Sequence, residues 1–348
     1  MSAQSGAYWK RMTAKPLPRN DLDDILAQAR DAFASLRGAR IFVTGGTGFF
    51  GHWLLESLLH ANAHLDANIS ATVLTRNAVA FREKSPHIAA DAAITLLEGD
   101  IKSFAFPAEP YTHIIHAATD TVAADVPALA DSIVDGTRHV LAFAQATGVR
   151  RLLYTSSGAV YGRGITDVAR ISETHPCAAP SADSYDEAKR AAEQLCLDAP
   201  IDAVIARCFA FVGPHLRLDR HFAIGNFIRD ALAGQPIHIK GDGTPLRSFL
   251  YMSDLAIWLW TMLATAPANS AYNVGSDESV SIAELAHITA ATLNPELPIQ
   301  IDGTPAPGAS PASYVPDITC AQAELGLHVT VPLAEAIRRT AAWHGFSS

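Results

Sequence analysis

Two side chains in the run Tyr185-Asp186-Glu187-Ala188-Lys189 carry chemistry, a phenol and an ammonium four residues apart. On a helix, positions i and i+4 share a face, so the spacing predicts that the two groups lie side by side. A phenol is a poor base near neutral pH because its ordinary pKa is about 10. A neighbouring cation favours the phenolate and is expected to lower that value. Such a tyrosine can exchange a proton with a hydroxyl group while hydride leaves or reaches the same carbon. Ser157, in TSSGAVYG and 28 residues before Tyr185, is placed to hydrogen-bond the same oxygen.

A second feature is the run IFVTGGTGFFG, in which Gly45, Gly48 and Gly51 are spaced G-x-x-G-x-x-G between a strand and a helix. One glycine allows a tight turn, one lets the backbone approach a pyrophosphate, and one permits close helix–strand packing. The helix N-terminus adds free N–H groups and a dipole that favours an anion. The pattern therefore predicts a dinucleotide site, with Thr47, Phe49 and Phe50 of the turn among its contacts. The next strand ends at Arg76, which suits a 2′-phosphate and tilts the expectation towards NADP. An arginine lying over adenine is the alternative, so NAD and NADP both stand. Asp100, with Ile101 beside it, is expected to accept from the adenine amino group. The small residues Ala117 and Ala118, followed by Thr119, would let a dinucleotide cross the end of a strand.

These residues need elements to hold them. From Ala39, strand-like runs at Arg40–Thr44, Ala71–Leu74, Ile94–Leu97, Ile114–His116, Arg151–Tyr154 and Ala203–Ala206 alternate with helical patterns. The long helix covers about Pro127–Ala146. That alternation predicts an α/β fold, a doubly wound, Rossmann-like parallel sheet with helices on both faces. Active groups then gather at the carboxyl ends of the strands. Before the sheet, Asn20 is the expected cap of a helix through Leu22, Ile25, Leu26, Ala29, Phe33 and Leu36, closed by Gly38. The stretch from Arg207 to Leu250 breaks the rhythm and holds six cations against three acids, as a local anion site would. Pro295–Pro316 is proline-rich and reads as a loop. The expected division is an N-terminal extension over 1–38, a dinucleotide domain over 39–206 and 249–275, and a smaller, C-terminal substrate-binding domain over 207–248 and 276–348.

The 348 residues carry a net charge of -9, which argues against nucleic acid as the main partner. Four cysteines form no C-x-x-C pair, and fourteen histidines include no HExxH, so no metal site is expected. The N-terminal run lacks the apolar stretch of a signal peptide, and no run approaches membrane-spanning length. A soluble, cytoplasmic protein is the expectation.

The motifs GGTGFFG, GDI, HAAT, TSSGAVYG, YDEAK, RCFAFVGP, GDGTPLRSFLYMSDLA and AYNVGSDESVSIAEL follow in one order. In these the chain resembles the extended short-chain dehydrogenase/reductases, the NAD-dependent epimerase/dehydratase family acting on sugar nucleotides, from about Ala39 to Trp343. The resemblance implies Ser157, Tyr185 and Lys189 as the catalytic set, with Tyr185 and Lys189 also against the cofactor and Lys189 on the nicotinamide ribose. It implies a nucleotide-diphosphate sugar as substrate, with Arg247 on the pyrophosphate and Ser157 and Asn226 as further contacts. A homodimer pairing the long helix with the Tyr185 helix is usual in the family. His221 and Tyr314 lie in segments that line the family's sugar pocket, without a motif of their own.

The departures also matter. The family's dehydratases carry an Asp-Glu pair after the catalytic hydroxyl residue, and its decarboxylases a Glu two residues before the motif tyrosine. Gly158 and Ala159 occupy those places. Their lack of a carboxyl disfavours dehydratase and decarboxylase and leaves three readings. The first is an epimerase oxidising the sugar transiently at carbon four, the second an NADPH-dependent 4-keto-6-deoxy sugar reductase, and the third a non-catalytic dinucleotide-binding regulator. Epimerisation is the expectation.

Overall fold

Apolar runs such as RIFVT and HIIH, with little polar alternation, suit strands covered on both faces, as a parallel sheet requires. The computed structural model describes residues 13–119, 126–177, 185–220 and 222–346. In it these runs become β1 (Arg40–Thr44), β2 (Ser70–Thr75), β3 (Ile94–Glu98), β4 (His113–His116), β5 (Arg151–Ser157) and β6 (Asp202–Cys208). Eight more strands follow: β7 (Phe211–Val212), β8 (Ile237–Ile239), β9 (Leu246–Arg247), β10 (Leu250–Tyr251), β11 (Ser270–Val274), β12 (Val280–Ser281), β13 (Ile299–Ile301) and β14 (Ser313–Tyr314). The main sheet has seven strands in the order β11-β6-β5-β4-β1-β2-β3. From β3 to β6 this is the Rossmann order 3-2-1-4-5-6, whose direction of winding reverses between β1 and β4. The pairing is parallel, with Phe42 opposite both Thr72 and Ile114.

The chain divides into two compact units, Met1–Thr155 with Ala191–Val204 and Leu259–Asn269, and Ser156–Arg190 with Ile205–Trp258 and Ser270–Ser348. In the first unit, the helix Phe49–Leu65 buries Trp53, Leu54, Leu55, Leu58 and Ala61. Phe42 of β1 stands within 4.6 Å of Phe143 and 5.2 Å of Phe104, ring centre to ring centre. The N-terminal extension belongs to this core. Phe33 is fully buried and packs on Trp260 at 5.3 Å, and the Leu17 N–H donates to Glu56 Oε2 at 2.8 Å.

The extension departs from expectation in one respect. Its helix starts at Arg19 with Pro18 as N-cap, not at Asn20, and splits at Ala29 into Arg19–Gln28 and Arg30–Ser35. Proline has its φ already set for helix entry, and the Pro18 carbonyl accepts from the N–H groups of Asp21 and Leu22. Gly38 ends the segment at φ 72°, as expected.

In the second unit, Val160, Tyr161, Ile165, Ile171 and Phe209 form a core cluster against which Tyr314 packs. Beneath it, the fully buried Asn273 accepts from the Tyr161 hydroxyl at 2.8 Å and donates to the carbonyls of Ile171 and Asp317. The proline-rich run is not wholly a loop, because β13 pairs with β8 and β14 with β9. Among the described residues, no helix is long and apolar enough to cross a membrane, and no group of three His, Cys, Asp or Glu is placed to hold a metal ion.

Candidate active site

The glycine turn follows β1 at the point where the strand order reverses, the place where this architecture binds dinucleotides. Gly45 has φ 75°, and a Cβ there would lie 2.4 Å from the Ala117 carbonyl oxygen at the end of β4. A Cβ on Gly51 would lie 2.1 Å from the Gly46 oxygen. Both positions therefore demand glycine. Gly48 caps the helix Phe49–Leu65 and brings no side chain to its first N–H groups. That arrangement fits the diphosphate of a dinucleotide, because the backbone donors and the dipole face the same spot.

The floor of the turn is a locked polar chain. Thr44 Oγ1 accepts from the N–H groups of Ala117 and Ala118, both at 3.1 Å. Its own proton then goes to His116 Nδ1 at 2.8 Å. His116 Nε2 in turn donates to Thr137 Oγ1 at 3.0 Å, and Thr137 donates to the Ile133 carbonyl.

The other expected cofactor residues lie just past the ends of neighbouring strands. Arg76 is exposed just past β2. Asp100 is exposed and accepts from the Lys102 N–H at 2.9 Å, closing its own turn, while Ile101 packs on Gly136.

The second unit gathers the expected catalytic set. Ser157 ends β5 and caps the short helix Gly158–Tyr161, accepting from the Ala159 N–H at 3.2 Å. Tyr185 opens the helix Tyr185–Asp198, and Lys189, one turn on, is 2% exposed. The Lys189 Nζ lies 5.9 Å from the centre of the Tyr185 ring, and the Ser157 hydroxyl is a hydrogen-bond partner of the Tyr185 phenol.

One expectation fails. Burial pushes the Tyr185 phenol up to about 12, while the Ser157 hydrogen bond pulls it down and the Cys208 thiol raises it further. Lys189 acts instead on Cys208, whose thiol burial also holds up at about 12. The spacing brings the two groups onto one face, but desolvation outweighs the neighbouring charge.

Arg247 lies on β9 directly opposite Tyr314 of β14, its guanidinium 5.8 Å from that ring's centre. It donates to the Leu246 carbonyl and, among the described residues, pairs with no carboxylate. Asp254 and Asp242 are engaged elsewhere, with Thr330 and Thr244. Asn226 sits inside the helix Ala223–Leu232, where its side-chain oxygen accepts from Arg229 at 3.0 Å. His221 lies outside the described residues.

Two residues missed by motif reasoning join the cluster. Tyr314 shares Ser157 as a hydrogen-bond partner, and Phe209 packs on Tyr314 with the rings tilted and their centres 4.7 Å apart. Phe209 also closes the place after Ser157, since a Cβ on Gly158 would lie 2.9 Å from three of its ring carbons. A two-residue strand has no periodicity to betray it, which is why Tyr314 stood out only by its neighbourhood.

Comparison with known proteins follows the same lines. The model of the NAD dependent epimerase/dehydratase family matches residues 41–275. UDP-glucuronic acid decarboxylase 5 of Arabidopsis thaliana is 30% identical over 316 residues, covering 86% of this chain and 87% of that protein. DesIV, a dTDP-glucose 4,6-dehydratase from Streptomyces venezuelae solved with NAD and TYD, matches with TM-score 0.75 and 24% identity over 88% of this chain and 96% of its own. The Bordetella bronchiseptica enzyme WbmG, solved with NAD, matches with TM-score 0.71 and 26% identity over 88% and 94%.

These relatives overturn the expectation of an epimerase or reductase. Curated relatives include UDP-glucuronic acid decarboxylases and a solved neighbour is a dehydratase, the two activities that Gly158 and Ala159 had argued against. With the fold, the dinucleotide turn and the match to more than half of its length in agreement, the chain belongs to the NAD-dependent epimerase/dehydratase family of sugar-nucleotide-modifying proteins.

Proposed function

We propose that this protein decarboxylates a nucleotide-linked uronic acid, UDP-glucuronate being the first candidate, through transient oxidation at sugar carbon four. The observation that carries the reading is the make-up of the Ser157 cluster. It offers a hydroxyl and phenols for proton exchange, Lys189 for charge, and Phe209 against Gly158 where a carboxylate side chain would stand. Once carbon four is a ketone, the sugar's own carboxylate is β to it. The bond to the carboxyl carbon then breaks, its electron pair passes into the enolate, and carbon dioxide leaves without a protein base. One proton returns to carbon five and the ketone is reduced again, so the cycle is redox-neutral overall.

A bound nicotinamide dinucleotide supplies the two-electron oxidation and reduction. Gly45, Gly48, Gly51 and the first N–H groups of the Phe49–Leu65 helix would hold its diphosphate, with Ala117 and Ala118 beneath. Arg76 leaves NADP open beside NAD. On the substrate side, Tyr185 takes the carbon-four hydroxyl proton and gives it back, with Ser157 holding the oxygen. Arg247 binds the sugar-nucleotide diphosphate as a charge-assisted donor. Incubation with UDP-glucuronate and with dTDP-glucose, followed by mass spectrometry, tests the reading. A UDP-pentose supports it, and a dTDP-4-keto-6-deoxy product in its place would put the chain with the dehydratases.

A further inference from the structure

The Phe49–Leu65 helix opens at Gly48, whose carbonyl accepts from the His52 backbone N–H at 3.1 Å. The same carbonyl accepts a second bond from the His52 side chain, Nδ1 to oxygen at 2.8 Å. A carbonyl can only accept, so Nδ1 carries the proton of that bond. The two bonds together pin the direction of the Gly48 carbonyl. The peptide that follows is trans, and in a planar trans peptide the N–H points opposite to the C=O. Fixing the Gly48 carbonyl therefore also aims the Phe49 N–H, the first donor at the helix end where the diphosphate would sit.

The imidazole is itself held at its far end. Its Nε2 meets Ser85 Oγ at 2.8 Å, and its ring stands edge-to-face with Phe81, centres 5.7 Å apart. His52 and Ser85 are both buried. Ser85 lies at the junction of two short helices, Ala78–Lys84 and Pro86–Ala89, and its N–H is tied back to the Phe81 carbonyl. The N-terminal extension braces this junction. The Ala14 N–H donates to the Lys84 carbonyl. One turn on from His52, on the same helix face, Glu56 accepts from the Leu17 N–H and faces His87 Nε2 at 3.2 Å. We propose that His52 is a positioning residue for the dinucleotide: bridging Gly48 and Ser85, it aims the Phe49 N–H at the diphosphate. The inference rests on the cofactor placement proposed above and is independent of the sugar.

The test is calorimetric titration of the full chain with NAD and with NADP, read beside denaturant melts. In His52→Phe, which keeps a ring against Phe81 and loses both side-chain hydrogen bonds, Kd for the dinucleotide rises about tenfold. Ser85→Ala leaves His52 its Gly48 bond but releases its far end, and Kd rises about threefold. In the double variant Kd matches that of His52→Phe alone, because Ser85 acts only through the ring. His52→Gln, whose amide can donate to the same carbonyl, recovers part of the loss. Ser57→Ala is the control. Ser57 is buried on the same helix and accepts from Trp260 Nε1 at 2.8 Å, so its loss weakens the fold away from the turn. It should lower the melting midpoint and leave Kd within about twofold of the parent's. A His52→Phe protein that folds and binds as the parent does overturns the proposal. So does a loss of affinity in Ser57→Ala as large as that in His52→Phe. Should His52→Phe fail to fold, Ser85→Ala decides by the same criterion. A parent that binds neither dinucleotide overturns the cofactor placement, and the proposal with it.

Discussion

Tyr185 and Lys189 stand one helical turn apart on the Tyr185–Asp198 helix, yet it is burial that sets the phenol's proton affinity. Spacing shows which groups meet, but not how much water they lose, and desolvation is the largest influence at this site. The same competition appears at His113 in β4. Burial, with Arg151 and Arg150 nearby, lowers its imidazole from 6.5 to about 4. The folded protein thus holds this proton less tightly than the unfolded chain. The associated stability is complete above the ordinary histidine pKa and is lost as pH falls through 6.5 towards 4. Denaturant unfolding across that window should show the decline, and His113→Gln should flatten it.

At the scale of elements, much of the site was legible because its devices are local. Gly45 and Gly51 are needed where backbone meets backbone, and a strand–turn–helix context announces them. Gly45→Ala puts a Cβ at φ 75° and 2.4 Å from the Ala117 oxygen, so the end of β4 must shift. We expect a loss of about 2–3 kcal/mol in unfolding free energy, with dinucleotide affinity falling as well, by denaturant melts and calorimetric titration. The illegible part is Tyr314. It is brought opposite Arg247 by β9 and β14, two residues each, from a run whose prolines signal loop. Phe209 likewise falls in a plain apolar stretch, and only its approach to Gly158 shows why no carboxylate follows Ser157.

At the scale of the whole molecule, a net charge of -9 has to be reconciled with an anionic substrate. The basic stretch 207–250 does so selectively. Arg217 and Arg229 are taken up by Asp219 and Asp230, whereas Arg247 has no carboxylate partner among the described residues and sits half-buried, where its charge is screened least. Arg247→Ala should raise KM for a UDP-sugar about tenfold to hundredfold, with a smaller change in kcat, in steady-state assays. The proposed reaction requires carbon dioxide to leave a sugar whose carbon four has been oxidised. Its most direct measurement is isotopic, using UDP-glucuronate labelled at the carboxyl carbon. We predict that labelled carbon dioxide and a UDP-pentose form together in equal amounts, and that both fall about a hundredfold or more in Tyr185→Phe. Label that stays in the sugar nucleotide, whether the sugar is unchanged or only inverted at a ring carbon, would contradict it.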